Sequence, residues 1–184
     1  LIPVILLISA SSLHAEEPKE RDEIAEKYKW DLTDMYVSTD RWEADILKYS
    51  ALLPEIESYR GRLGSGGKTL LAAIQKMEEI EMLISDIFVY AGLKSYEDMR
   101  VGENSANFSR ARTLLTKYNE ATSYMRPELL AIPPRKLAKM ISSTKGLGIY
   151  RHFIDEQLRM RDYTLSEAEE KILEGILIEE AGEG

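Results

Sequence analysis

The stretch LLAAIQKMEEIEMLISDIFVYA, residues 70–91, decides the fold class. Its apolar residues recur every three or four positions over about six turns, which is the spacing of one face of an α-helix. We predict that this helix is the longest element of the chain and ends near Gly92. Its apolar face consists of Leu70, Ile74, Met77, Ile80, Ile84, Ile87 and Ala91.

A second helix with the same period is predicted from Asp40. The carboxylate of Asp40 can cap the first turn, and Glu43 stands where a capping box places an acid. Pro54 interrupts the pattern and is compatible with a break or kink near Leu53. The apolar stripe consists of Trp42, Ile46, Tyr49, Leu53 and Ile56.

A third helix is predicted from about Asn104 to Met125, with Pro127 beyond its end. The stretch RPELLAIPPRKLAKMISS (126–143) contains three prolines, which favours two short helices over one long helix. A new segment follows Gly146 and Gly148. The apolar face of the third helix consists of Phe108, Ala111, Leu115, Tyr118 and Thr122, and that of the new segment of Tyr150, Phe153, Ile154 and Leu158.

The capping box SEAE, from Ser166 to Glu169, predicts a final helix that contains Gly175. No stretch shows the period-two alternation of a strand bounded by turn residues, and there is no internal repeat. The prediction is therefore an all-α fold, a multi-helix antiparallel bundle-like lobe over residues 16–184.

Residues 1–15, LIPVILLISASSLHA, have the profile of a signal peptide. The apolar run of about ten residues is shorter than the roughly 20 residues of a membrane-spanning helix, and a charged sequence begins at Glu16. We predict cleavage after Ala15 and export to the periplasm or the medium, with no stable membrane span. The alternative is a short buried segment at the N-terminus. The chain begins at Leu1 without Met, so we expect that the start of the signal is missing.

Composition narrows the classes of site that the chain can carry. With 24 Lys and Arg against 32 Asp and Glu, the formal net charge is −8, which argues against a broad surface for nucleic acid. There is no Cys, which removes disulfides, thiolate nucleophiles and sulfur-ligated zinc sites. The two histidines are His14 and His152, and cleavage after Ala15 would leave one.

The stretch GRLGSGGKTLL, residues 61–71, superficially resembles a phosphate-binding loop. A Walker A motif needs a glycine five places before the Gly of its Gly-Lys pair, so that backbone N–H groups surround the phosphates. The pair here is Gly67-Lys68, and the residue five places earlier is Arg62. We predict that the chain binds no nucleotide and that the glycines join two helices.

Other candidate residues also lack a catalytic arrangement. A helical zinc peptidase needs two His four residues apart with a Glu between them, whereas His152 begins HFIDE. The adjacent acids Glu16-Glu17, Glu78-Glu79 and Glu169-Glu170 are interpreted as solvated helix surfaces. The aromatic residues Tyr28, Trp30 and Tyr36, and the stretch FVYAGL (88–93), are interpreted as packing. We predict no catalytic and no metal-ligating residue in this chain.

Four separated stretches in the same order resemble the N-terminal lobe of oligoendopeptidase F, a family of zinc metallopeptidases. They are KYKWDLTDMYVSTDRWEADI (27–46), DIFVYAGLKSYEDM (86–99), RPELLAIP (126–133) and YRHFIDEQLRMRDYTLSEAEEKIL (150–173). The shared features are the W-D-L-x-D-x-Y opening, the tyrosine-rich second helix and the T-L-S-x-x-E-E segment. All three are scaffold features, and the resemblance covers about Lys27 to Leu173.

The resemblance implies a helical lobe that covers one side of a deep active-site cleft and restricts entry to short peptides. It also implies that zinc, the H-E-x-x-H helix and a later Glu ligand belong to a C-terminal catalytic domain that this chain does not contain. Members of the family are several times longer, so the chain resembles a fragment. The family often has His just before the T-L-S segment where this chain has Tyr163, so no role is transferred to that position.

Two functions therefore remain open. The chain is either the cleft-covering lobe of an exported zinc oligoendopeptidase or a free-standing secreted helical module that binds a partner through an apolar face. An H-E-x-x-H reading frame downstream of Gly184 would favour the first function, and a stop codon would favour the second.

Overall fold

The computed structural model describes residues 23–159. The chain divides into two units, residues 1–31 and residues 32–184. The first contributes a 3₁₀ turn, Glu26–Tyr28, and the second contains all of the α-helices described below. The predicted signal segment with its cleavage site at Ala15 and the predicted helix that starts at Ser166 lie outside the described residues.

Six α-helices account for most of the second unit, and residues 23–159 contain no strand, so the predicted all-α fold is confirmed. The three longest of them, α1 (Thr39–Glu57), α2 (Gly67–Glu97) and α3 (Gly102–Thr122), pack against one another in all three pairings. The shorter helices pack mainly at the end of the bundle where α2 begins, together with 3₁₀ turns at Leu63–Ser65 and Leu147–Tyr150. The helices are α1 Thr39–Glu57, α2 Gly67–Glu97, α3 Gly102–Thr122, α4 Met125–Ala131, α5 Pro134–Ser143 and α6 Arg151–Arg159.

The start of α1 differs from the prediction. Ser38, in extended conformation, is the N-cap, and its side chain accepts a hydrogen bond from the backbone N–H of Arg41 at 3.4 Å. Asp40 lies within the first turn and is already helical, whereas a capping residue needs non-helical backbone angles. The prediction of a capping box at Glu43 was also wrong, because the Glu43 carboxylate pairs with Arg110 of α3, with 2.8 Å between Oε2 and Nη2.

Helix α1 continues past Pro54 to Glu57, so the proline does not end it at Leu53. Proline cannot donate to the carbonyl four residues earlier, but its own carbonyl still accepts a hydrogen bond from the backbone N–H of Ser58 at 3.1 Å. Leu52 is buried where the predicted stripe had Leu53, which is only partly buried.

Two aromatic residues of α1, seven positions apart, join this helix to its two long neighbours. The indole N–H of Trp42 donates to the carbonyl of Ile87 in α2 at 3.0 Å. The hydroxyl of Tyr49 donates to the carbonyl of Leu114 in α3 at 2.6 Å. Both side chains are almost completely buried, and these hydrogen bonds give the polar atom of each a partner within the core.

The end of α1 and the loop after it are held by residues at the start of α4. The hydroxyl of Tyr124 donates to the carbonyl of Ile56. The carboxylate of Glu128 accepts hydrogen bonds from the backbone N–H groups of Gly61 and Leu63, the latter at 3.2 Å. Gly61 has a φ of 77°, a left-handed conformation that glycine adopts without strain.

Helix α2 does not end near Gly92 as predicted but continues to Glu97. Gly92 is buried inside the helix, and a Cβ at this position would lie 3.3 Å from Cε2 of Phe108 in α3. The glycine therefore permits close packing of two helices and does not terminate one.

Helix α3 ends at Thr122, three residues before the predicted end, and Pro127 lies in the first turn of α4. That turn has backbone N–H groups without helical acceptors, so proline is accommodated there. The two short helices predicted for residues 126–143 are confirmed as α4 and α5. Gly146, with a φ of 92°, begins the segment that leads into α6, as predicted.

Gly67, from the glycine-rich loop, is the first residue of α2 and lies close to the end of α5. A Cβ on Gly67 would stand 1.9 Å from Oγ1 of Thr144 and 3.0 Å from the carbonyl oxygen of Met140. The glycine is therefore accounted for by packing, and Lys68 beside it is exposed. The absence of nucleotide binding stays a prediction.

We predict that Gly67→Ala lowers the free energy of unfolding by about 1–3 kcal/mol, because the new methyl group would overpack this contact. Gly102→Ala is the matched control, since Gly102 also begins a helix and has open space around its Cα. The measurement is denaturant unfolding followed by circular dichroism. Adding Thr144→Ala should recover part of the loss. Equal effects of the two glycine substitutions would contradict this account.

Candidate functional site

His152 lies on α6 with its side chain 86% exposed. Its Nε2 atom is 3.9 Å from Oε1 of Glu156, one turn further along the same helix. Within residues 23–159, no group of three His, Cys, Asp or Glu side chains is placed to hold a metal ion. The described part of the chain therefore does not fit a zinc site.

The adjacent acids Glu78 and Glu79 of α2 point to different partners. Oε2 of Glu79 lies 2.8 Å from Nζ of Lys76, and this hydrogen bond lowers the pKa of Glu79. Oε2 of Glu78 accepts a hydrogen bond from the hydroxyl of Tyr150 at 2.7 Å. The two carboxylates do not form an acid–base pair. The pairs at Glu16-Glu17 and Glu169-Glu170 lie outside the described residues.

The aromatic residues predicted to pack fall into two groups. Tyr36 is buried, its ring meets that of Tyr90 edge to face at 5.0 Å, and its hydroxyl donates to Asp45 at 3.1 Å. Tyr28 and Trp30, in contrast, are exposed, so the prediction that they pack was wrong. In the stretch FVYAGL, Phe88 and Tyr90 pack as predicted, whereas Val89 is exposed.

A groove of about 500 Å³, which we call the α2–α6 groove, lies among the helices of the described residues. Its floor is apolar, and its rim carries polar side chains from α2, α3, α4 and α6 and from the turn after α3. The floor consists of Leu63, Leu70, Ile74, Met77, Leu129 and Phe153, and the rim includes Glu81, Tyr118, Ser123, Arg126 and Gln157.

The rim of the groove is internally hydrogen-bonded and carries both signs of charge. Nε of Arg126 donates to Oε1 of Gln157 at 2.9 Å, which links α4 to α6. Burial raises the pKa of Tyr118, and the neighbouring Glu81 carboxylate raises it further. The hydroxyl of Tyr118 therefore stays protonated and able to donate. Sequence patterns missed the groove because its lining residues are drawn from positions 63 to 157.

Known proteins with similar sequences identify the family of the chain. A family model described as Oligopeptidase F matches residues 128–176. An oligoendopeptidase F homolog of Lactococcus lactis subsp. lactis is 31% identical over 156 residues, which cover 84% of this chain and 26% of that protein. The chain belongs to the oligoendopeptidase F family.

Two solved structures with a similar fold support membership of this family. Oligoendopeptidase-F from Enterococcus faecium superposes with a TM-score of 0.66 and 28% identity, covering 73% of this chain and 26% of that one. A putative peptidase from Chlamydophila abortus gives a TM-score of 0.69 at 25% identity, covering 85% of this chain and 26% of that one. The chain therefore spans about a quarter of the length of these relatives and corresponds to their N-terminal part.

The 156 aligned residues span most of the chain. No helix within residues 23–159 is both long enough and apolar enough to cross a membrane.

The buried tyrosines predict how the stability of the fold depends on pH. Burial raises the pKa of Tyr49 to about 12 and that of Tyr124 to about 12. The unfolded chain then ionises at these positions first, above about pH 10, so it binds fewer protons than the folded chain there. Their contribution to stability should be complete below pH 10 and should decline as the pH rises through about 12.

Melting temperature measured between pH 9 and about pH 12 tests this prediction. The wild-type chain should lose stability over this range. Tyr49→Phe and Tyr124→Phe should each flatten the decline while lowering stability at neutral pH by about 1 kcal/mol, the usual value of a hydrogen bond. Tyr96→Phe, at an exposed position, is the control. A decline that is equally steep in all variants would contradict the assignment.

Proposed function

We propose that this chain is the N-terminal helical lobe of an exported zinc metalloendopeptidase that hydrolyses short peptides. The observation that carries the proposal is the alignment of 84% of the chain with about a quarter of a protein named as an oligoendopeptidase F homolog. Similarity of fold to a solved oligoendopeptidase-F at 28% identity supports it.

The lobe contributes no chemical step in this proposal. Its described residues do not fit a zinc site, because His152 is exposed and no metal-ligand cluster accompanies it between residues 23 and 159. Zinc activates water for attack on a peptide carbonyl only where about three protein ligands hold it. Zinc binding and hydrolysis therefore belong to the remainder of the full-length enzyme, and the lobe acts by covering one side of its cleft and restricting entry.

An exposed apolar stripe on α2 supports contact between the lobe and the rest of the enzyme. Met82, Val89 and Tyr96 are all exposed and follow one another at intervals of seven residues, which places them along one side of the helix. Exposed apolar residues that form a stripe are typical of surfaces that bind another protein surface. We infer that the catalytic domain covers this stripe.

A free-standing secreted module that binds a partner protein is the second candidate, and the same stripe on α2 favours it. The two functions differ in whether the lobe changes peptide hydrolysis. A chimera distinguishes them.

In the chimera, residues 27–173 replace the matching region of the Enterococcus faecium oligoendopeptidase-F. We predict that the chimera hydrolyses a short quenched fluorescent peptide and that a chelator abolishes the activity. Met82→Asp, Val89→Asp and Tyr96→Asp together should lower kcat/KM at least about tenfold by weakening the contact between the domains. Leu47→Asp, at an exposed position on α1, is the matched control and should have no effect.

Residues 16–184 alone should bind no stoichiometric zinc and cleave no peptide, as measured by elemental analysis and the same peptide assay. Chelator-sensitive cleavage by residues 16–184 that disappears in His152→Ala would overturn the assignment of chemistry to the remainder. Activity in the chimera that is insensitive to the stripe substitutions would favour the secreted module.

Export is a separate prediction. The uncharged apolar residues 1–15 and the charged sequence from Glu16 predict cleavage after Ala15. When a Met and basic residues are placed before Leu1 and the chain is expressed in a secreting host, the mature product should begin at Glu16, as determined by N-terminal sequencing. Ala15→Pro should block processing. A cytoplasmic product that retains Leu1 would contradict export.

A further inference from the structure

The α2–α6 groove lies beside the last described helix, α6. Phe153 and Gln157 of α6 form part of its lining, and the helix ends at Arg159. Gln157 is thus two residues from the last described residue of the chain. Met77 and Phe153 in the floor are only partly buried, whereas Leu129 beside them is already buried in the core.

The sequence after α6 has the pattern of an amphipathic helix. The capping box from Ser166 to Glu169 predicts its start, and four apolar residues follow at helical spacing. Lys171 is predicted to lie on the opposite side of this helix. The apolar side consists of Ile172, Leu173, Ile176 and Leu177.

The length of the connection permits this segment to reach the groove. Residues 160–165 can span up to about 20 Å when extended, at 3.3–3.6 Å per residue. A helix over residues 166–177 would be about 18 Å long, at 1.5 Å per residue. The tether also gives the segment an effective concentration in the millimolar range, which favours it over a second copy of the chain at ordinary concentrations.

The family comparison links the same two parts of the molecule. The matched region, residues 128–176, begins in α4, includes α5 and α6, and continues through most of the amphipathic segment. A sequence that recurs as one unit in a family is expected to pack as one unit. We propose that residues 166–177 dock into the α2–α6 groove with their apolar side against Met77 and Phe153. This docking goes beyond the proposed peptidase role and does not depend on it.

The absence of cysteine from the chain allows a direct test with single introduced thiols. In the full chain, Met77→Cys should react with a maleimide at least about tenfold more slowly than Leu47→Cys, because the docked segment must leave before the reagent enters. Adding Ile172→Asp should raise the rate at position 77 about tenfold, since a carboxylate cannot be buried in the apolar floor without cost. Lys171→Asp, on the opposite side of the predicted helix, is the matched control and should leave the rate unchanged.

Far-UV circular dichroism and Leu47→Cys labelling in the Ile172→Asp background check that the bundle stays folded. As a second measurement, a short bifunctional maleimide should join Met77→Cys to Ile176→Cys within one chain, and should not join Leu47→Cys to Ile176→Cys. A labelling rate at position 77 that is unchanged by Ile172→Asp would overturn the proposal. Cross-links only between chains, or protection that grows with protein concentration, would also overturn it and assign the groove to a second copy.

Discussion

The structure depends on how one helix, α1, is fixed to its neighbours by buried aromatic residues with polar ends. Trp42 and Tyr49, seven residues apart, donate to backbone carbonyls of α2 at 3.0 Å and of α3 at 2.6 Å. Seven residues further, the carbonyl of Ile56 accepts from Tyr124, at the start of α4. Apolar packing alone would allow helices to slide or rotate, whereas a buried donor is costly to leave unsatisfied. These three bonds therefore fix the register of the helices around α1.

The same constraint explains why α2 is long and uninterrupted. Its carbonyl at Ile87 must stay in place to receive the indole of Trp42, and Tyr90 lies one turn later against Tyr36. Gly92 follows within that packed region and lets Phe108 approach. A glycine ends a helix when its backbone turns left-handed, and among residues 23–159 only Gly61, with a φ of 77°, and Gly146, with a φ of 92°, have such a conformation. Sequence alone does not distinguish these two uses of glycine, which is why the predicted end of α2 was wrong.

The spacing of apolar residues predicted where the helices lie, because the apolar face of each helix depends only on the sequence of that helix. It did not predict pairings between distant residues, such as Glu43 with Arg110 or Glu128 with the loop at Gly61. Those pairings depend on the packing of helices far apart in sequence. The α2–α6 groove escaped prediction for the same reason. The prediction that the chain has no catalytic residue rests on the fixed spacing of His and Glu that zinc chemistry demands, and it stays a prediction.

The groove and the stripe on α2 serve different contacts because their chemistry differs. The groove is concave, has a mixed polar rim, and lies beside the helix from which residues 160–184 continue, so a short tethered segment can fill it. The stripe of Met82, Val89 and Tyr96 is exposed on a helix whose other sides are occupied by α1 and α3. A convex helix surface needs a broad partner to bury it, and the proposed contact with a catalytic domain would supply one. Substitutions in the groove therefore test the proposed docking of residues 166–177, and substitutions in the stripe separately test the proposed attachment of the lobe to an enzyme.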